Sequence, residues 1–264
     1  MGYTPITPSS GTIHACIKHP IVGVVILLLV VAVPSYFNAE PVSNCTQPMI
    51  TFTFDEAYHS AYSEAYPILT KYGYTGTVYV PTDFVGQPGH LTLTELWALQ
   101  NNAWEIGSQG KTYSDLTTLD ETELSEEILG SRASLESNFL HIWGFASPYG
   151  KYNEEVLNLT STQYLYHRTI NPGLNNIPLA EDQVYELKAV NVTSETTVEE
   201  VKDWMIQAKN EKKWLILVFH DIDGQDENSW PAENLEEIAK FARDNDFQGI
   251  WTERPVITTF NMIT

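Results

Sequence analysis

Two short polar clusters stand directly after apolar segments of this 264-residue chain. Thr53-Phe54-Asp55-Glu56-Ala57 sets adjacent carboxylates at the end of a run rich in Ile, Thr and Phe, and His220-Asp221 follows the unbroken apolar run 214–219. A carboxylate at a strand end suits a general base or a metal ligand, and an imidazole suits a general acid because it titrates close to neutral pH. Each cluster alone has an ordinary reading, since acidic residues often begin helices and a lone His is more often packed or capped than catalytic. Their joint placement after apolar runs favours the functional one.

The elements that must position these groups are legible from periodicity. Strands are expected over 49–54, 75–80, 104–107, 143–146, 164–168, 185–190, 214–219 and 249–252. Helices are expected over 57–72 (ended by Gly73), 92–101, 196–210 and 232–244, with a long acidic helix from about 119 to 139 capped by Asp120 or Thr118. Repeated strand–helix alternation over some 215 residues implies an α/β architecture with a parallel sheet. Seven or eight strand candidates in one domain predict a complete or irregular (β/α) barrel. In a barrel the chemistry sits on loops after the carboxyl ends of the strands. Those loops are Asp55-Glu56, residues 108–115, residues 147–149 and His220-Asp221.

Composition bounds the function class. Fourteen Lys and Arg against 34 Asp and Glu give a net charge of −20, which repels phosphate backbones and excludes nucleic acid as an expected partner. Residues 21–33 are all apolar or Gly, and 34–37 extend the stretch. This predicts a short cytoplasmic amino terminus (1–20), a transmembrane or signal-anchor segment (21–37), a linker (38–48) and one domain (49–264). Lys18 before the run and Glu40 after it point the carboxyl-terminal domain outward. Single-pass membrane attachment is therefore expected, or secretion if the segment is cleaved. Cys16 and Cys45 flank the run, so a bridge between them is not expected. Asn44, Asn158 and Asn191 begin Asn-x-Ser/Thr sequons, permissive for glycosylation outside the cell. No phosphate-binding Gly-rich loop or Gly-x-Ser-x-Gly elbow occurs, and Asp221-Ile-Asp-Gly-Gln-Asp226 has the wrong spacing for a calcium loop.

Four ordered segments resemble a known family. Thr53-Phe-Asp-Glu-Ala57, Glu105-Ile-Gly-Ser-Gln-Gly-Lys-Thr-Tyr-Ser-Asp-Leu116, Phe145-Ala-Ser-Pro-Tyr-Gly-Lys-Tyr-Asn153 and Trp214-Leu-Ile-Leu-Val-Phe-His-Asp-Ile222 resemble the motifs of the polysaccharide deacetylases, the NodB-homology group of carbohydrate esterase family four. The resemblance implies a distorted (β/α) barrel, a divalent metal such as zinc, and removal of acetyl groups from sugar polymers, so that an acetylated polysaccharide or cell-surface glycan is the implied partner. It places the general base at Asp55, the general acid at His220 and an oxyanion-holding amide at Tyr149. The metal positions fall on Glu56, Gln109 and Tyr113, where the family carries an aspartate and two histidines. The position of an arginine that orients the base falls on Ala146, and the family's Trp-bearing motif has no counterpart.

These substitutions carry a physical expectation. A catalytic zinc site needs about three strong ligands and an open position for water. Glu56 is a good ligand, but Gln109 offers a neutral amide oxygen, and Tyr113 must lose a proton of pKa near 10. Without the metal, water keeps a pKa near 15.7 rather than about 7. Each 1.36 kcal/mol lost from transition-state stabilisation is about tenfold in rate. His59, four residues after Asp55, is the nearby imidazole that could substitute as a ligand. The expectation is a deacetylase-type protein with weak or absent hydrolysis. The alternative is a non-catalytic carbohydrate-binding or structural surface protein in which Tyr58, Tyr113 and Tyr149 stack on sugar rings.

Overall fold

A computed structural model describes residues 48–250 apart from Gln225. The anchor segment 21–37, most of the linker, both cysteines, Asn44 and positions 251–252 of the last expected strand lie outside the described residues. Among the described residues no helix is long and apolar enough to cross a membrane.

The sheet is built outward from β1 (Met49–Phe54), all six of whose residues are buried. It pairs in parallel with β2 (Gly76–Val80) and with β7 (Trp214–Phe219), whose six residues are also buried. Near-continuous apolar runs of this kind are what a parallel strand covered on both faces requires. Beyond β2 follow β3 (Glu105–Ser108), β4 (Ile142–Ala146) and β5 (Tyr166–Arg168), beyond β7 lies β6 (Val190–Asn191), and β8 (Gln248–Gly249) pairs with the start of β1. Successive side chains of each strand go to opposite faces of the curled sheet. Leu215, Leu217 and Phe219 join the core beneath the helices, whereas Trp214, Ile216 and Val218 join Met49, Tyr79, Ala146 and Tyr166 in a second cluster on the other face of the sheet.

The expected strand over 185–190 is corrected to the two residues of β6. The chain here has to cross from one edge of the curled sheet to the other, so it pairs with each edge in turn. His167 and Thr169 donate to the carbonyls of Val184 and Leu187, and Leu187 donates back to His167, before Val190 and Asn191 join β7. Asn175 holds the crossing by bonding both the carbonyl and the amide of Lys188. The last expected strand, 249–252, is observed at 248–249 with its positions 251–252 outside the described residues, and the other strands lie within two residues of expectation.

The helices cover one face. A π-wound turn, Ala61–Ala65, leads into α1 (Tyr66–Tyr72), which Gly73 ends at φ 82°. The helix begins later than its pattern suggests because Glu56 and Ala57 are in the left-handed region (φ 62° and 52°) and cannot start a right-handed turn. Thr92 and Glu95 form a capping box on α2 (Leu93–Asn101). The acidic helix is α3 (Glu121–Ser125), a π-wound turn (Glu126–Gly130) and α4 (Ser131–Ser137), capped by Asp120. It is not only a solvated face, since Glu127 is buried and holds the loop after β3. Helix α5 (Glu154–Ser161), capped by Asn153, has no counterpart in the sequence reading, and α6 (Val198–Glu211) and α7 (Ala232–Asp244) complete the layer.

Candidate active site at the carboxyl ends of the strands

Asp55 is the first residue past β1, anchored there by its amide, which donates to the carbonyl of Phe219 at the end of β7. The backbone then turns sharply through the left-handed Glu56 and Ala57. Such a conformation is costly for residues with a β-carbon and persists only where neighbours over-determine it. Gln109, the first residue past β3, supplies the restraint. Its amide oxygen accepts the Glu56 N–H at 2.8 Å, and its amide nitrogen donates to Asp55 Oδ2 at 2.8 Å. Asp55 is 4 % exposed and Gln109 fully buried.

A buried carboxylate needs a counter-charge. It comes from Arg168, the last residue of β5, whose Nη2 lies 2.6 Å from Asp55 Oδ1 and 2.7 Å from Oδ2. The guanidinium also sits 4.8 Å above the ring of Tyr79. Burial, the largest single influence, works to lower the pKa of Arg168, but the charge and hydrogen bond of Asp55 together with Tyr79 and Tyr113 outweigh it and hold the side chain above its ordinary range. Arg168 is absent from the sequence reading. The signal for it is a basic residue closing an expected strand at the same end as Asp55 and His220.

Glu56 points into the cleft beside two phenols. Tyr113 donates to its Oε1 at 2.9 Å, and Tyr58 lies 3.2 Å from Oε2 and 2.9 Å from Asp226 Oδ2. Burial raises the pKa of Glu56, against the Tyr113 hydrogen bond and the nearby His220. His220, just past β7, stands with Nε2 4.0 Å from Glu56 Oε1, and its Nδ1 is buried without a partner. Burial, then the negative charges of Asp55 and Glu56, push the Tyr113 phenol well above its ordinary range. The Tyr149 backbone lies against the same hydroxyl and works in the opposite direction.

The loop carrying Tyr113 is held from beneath. Glu127 accepts from the amides of Lys111 and Thr112 and from the Thr112 hydroxyl. Gly110 is needed here for two reasons. Its φ is 81°, and a β-carbon on it would sit 2.8 Å from Glu127 Oε2. The rim is aromatic: Tyr149 packs on Tyr113 (ring centroids 4.6 Å apart), Tyr113 on Phe84 (6.0 Å), Phe84 on His90 (4.8 Å) and His90 on Tyr58 (5.1 Å). Tyr149 is 55 % exposed. An open cleft of about 560 Å³ continues from Tyr58 and His90 past Asp221 and Asp226.

Asp55, Glu56, Gln109, Tyr113, Tyr149 and His220 are thus gathered at one end of the sheet. The three positions that would hold a metal do not fit one as arranged. Both polar atoms of the Gln109 side chain are engaged by Asp55 and Glu56, and the Tyr113 phenol holds its proton and donates it to Glu56. Only one charged donor remains, where a zinc site needs about three strong ligands. Among the described residues no group of three His, Cys, Asp or Glu converges on one point. His59 does not join the site: it is half exposed and faces Glu95, 3.2 Å from Nδ1. Of the sequons, Asn158 is exposed within α5, whereas Asn191 is half-buried in β6 with a buried side-chain oxygen.

Comparison with known proteins points to the family that the ordered motifs resemble. The sequence model of the polysaccharide deacetylase family matches residues 43–166, which contain Asp55, Glu56, Gln109, Tyr113 and Tyr149 but neither Arg168 nor His220. YxkH of Bacillus subtilis (strain 168), a protein named as a polysaccharide deacetylase, is 28 % identical over 159 residues, which make up 59 % of this chain and 54 % of the relative. The chain therefore spans about half the length of this curated relative. Among solved structures, the Xyl-CE4 domain of a multidomain xylanase from a Trinervitermes trinervoides hindgut metagenome aligns over 81 % of this chain and 92 % of its own, with TM-score 0.59 and 16 % identity. Peptidoglycan deacetylase PdaC of Bacillus subtilis aligns over 82 % and 94 % with TM-score 0.52 and 18 % identity. A polysaccharide deacetylase from Bacillus cereus aligns over 59 % and 50 % with TM-score 0.54 and 23 % identity. At these identities the structures speak to the fold alone, while the ordered motifs and the family model support similarity of residues 43–166 to the polysaccharide deacetylase family.

Proposed function

We propose that this chain is an exported member of the family that engages acetylated sugar polymers with weak or absent metal-dependent hydrolysis. One observation carries the reading: the Gln109 side chain spends its amide oxygen on the Glu56 backbone and its amide nitrogen on Asp55. A metal could reach Gln109 only through the second lone pair of an oxygen already held by the Glu56 N–H, a neutral donor fixed in a direction that the backbone bond sets. Asp55 would act as a hydrogen-bonding group of the cleft floor, His220 and Glu56 as its polar wall, and Tyr149, Tyr113 and Tyr58 as faces on which sugar rings stack. The partner is an acetylated polysaccharide or cell-surface glycan. The chain would reach it from the membrane through residues 21–37, or in secreted form.

The test combines three measurements on the purified protein. Metal content should fall well below one divalent ion per chain. Acetate release from acetylated chito-oligosaccharides should be absent or slow, and calorimetry with the same oligosaccharides should register binding. Stoichiometric zinc together with turnover that Asp55→Asn abolishes would overturn the reading.

A further inference from the structure

We infer that Arg168 is the positioning residue of Asp55, and that the arginine of this site has been carried by one strand sideways, from position 146 on β4 to position 168 on β5. The two positions are Cα partners in the parallel β4–β5 ladder, in the register Gly144 with Tyr166, Phe145 with His167 and Ala146 with Arg168. Paired residues of a parallel ladder lie about 4.8 Å apart and face the same side of the sheet. Ala146 lies in the cluster that contains Tyr79 and Tyr166, and the Arg168 guanidinium lies over the Tyr79 ring. The two side chains therefore share one space, small where the other is large. Both are fully buried.

The manner of contact agrees with a side chain that arrives from the next strand. A single nitrogen, Nη2, reaches both oxygens of Asp55, while Nε and Nη1 are buried without a partner. An arginine facing a carboxylate squarely uses two nitrogens in parallel. Arg168 takes the end-on geometry and keeps its remaining donors over Tyr79. With Gln109 on Oδ2, Asp55 is fixed from two strands and has no freedom to turn away from the cleft.

What Asp55 contacts in a bound glycan rests on the function proposed above, but how it is held does not, and the experiment separates the two. Four variants of the full chain are needed: Arg168→Met, Asp55→Asn, both together, and the exchange Ala146→Arg with Arg168→Ala. Denaturant midpoints of the first three form a cycle, and the loss in the double variant should be clearly smaller than the sum of the single losses. Affinity for an acetylated chito-oligosaccharide should fall by about tenfold or more in Arg168→Met, and the exchange should recover it to within about threefold. A purely structural arginine at 168 would not be replaced by one at 146. An exchange variant that folds like wild type yet binds as poorly as Arg168→Met would overturn the inference, and so would additive midpoints. If the exchange variant does not fold, the cycle decides alone. If the wild type binds no oligosaccharide, the proposed function fails, while the cycle still tests the assignment of Arg168.

Discussion

Replacing Gln109 by Leu is the most direct probe of the cleft, because Gln109 joins the two halves of the Asp55–Glu56 pair. Leucine fills a similar volume but offers neither donor nor acceptor. Asp55 loses one charge-assisted bond while Arg168 still holds it, and the Glu56 N–H becomes a buried donor without a partner. Bonds to charged groups contribute about 1.5–3 kcal/mol, and an unsatisfied buried donor costs about 1–3 kcal/mol. Burying the extra apolar surface of leucine returns about 1 kcal/mol, leaving a net loss of about 3 kcal/mol. For a domain of this size, 1 kcal/mol moves Tm by about 2–4 °C, so a fall of about 6–12 °C is expected in thermal unfolding followed by far-ultraviolet circular dichroism at pH 7. Gln109→Glu should fare worse at that pH, since it sets a second carboxylate against Asp55 Oδ2. A Gln109→Leu protein melting within about 2 °C of wild type would refute the reasoning that this amide ties the site together.

Three further outcomes are expected. His167 is fully buried and burial pulls its pKa down to about 4, so the unfolded chain takes up its proton first as pH falls. Stability should decline from about pH 6.5 to about pH 4 by about 3 kcal/mol on this account, opposed by Glu56, whose raised pKa costs stability as pH rises. His167→Gln should flatten that acid limb in denaturant titrations, and an unchanged slope would count against it. Gly144→Ala should destabilise by about 1–3 kcal/mol, because its β-carbon would fall 1.9 Å from the buried Tyr166 ring, whose hydroxyl is tied to Glu105 at 2.6 Å. Glu127→Ala should leave the sheet intact but release the loop at Lys111 and Thr112, seen as faster amide hydrogen exchange there and not in β1 or β7.

The sequence revealed the parts of the site that sit on strong local patterns. Asp55 and His220 stand at the ends of β1 and β7, whose apolar runs are long and wholly buried, so both the strands and the residues that follow them were legible. Arg168 closes a three-residue strand and acts across the sheet on a residue 113 positions earlier, a pairing that only the order of the strands reveals. The crossing at 184–191 was misread for a related reason. Its alternation is that of a strand, but its partners change from β5 to β7 along its length, and periodicity carries no information about the partner. Helix α5 is amphipathic but only eight residues long, about two turns, too short for its period to be separated from the flanking loops in the sequence. The left-handed turn at Glu56 and Ala57 is invisible in the residues themselves, since neither is Gly or Asn. Gln109 enforces it from 53 positions away.

That enforcement bears on how the substituted site should respond to repair. Each residue that departs from the family pattern is bonded to the others or to Asp55: Gln109 to Asp55 and Glu56, Tyr113 to Glu56, and Arg168, rather than position 146, to Asp55. Restoring one family residue therefore breaks bonds before it can make a ligand set. Gln109→His alone gives up at least one of the two bonds at the turn, and Tyr113→His alone removes the donor to Glu56 while Gln109 keeps its amide committed. The three changes Glu56→Asp, Gln109→His and Tyr113→His should then be strongly non-additive in zinc affinity. Each single variant should be less stable than wild type with no gain in bound metal, and only the triple variant should retain zinc through dialysis. Stoichiometric zinc in either single histidine variant would show that the amide network does not hold the site in its present form.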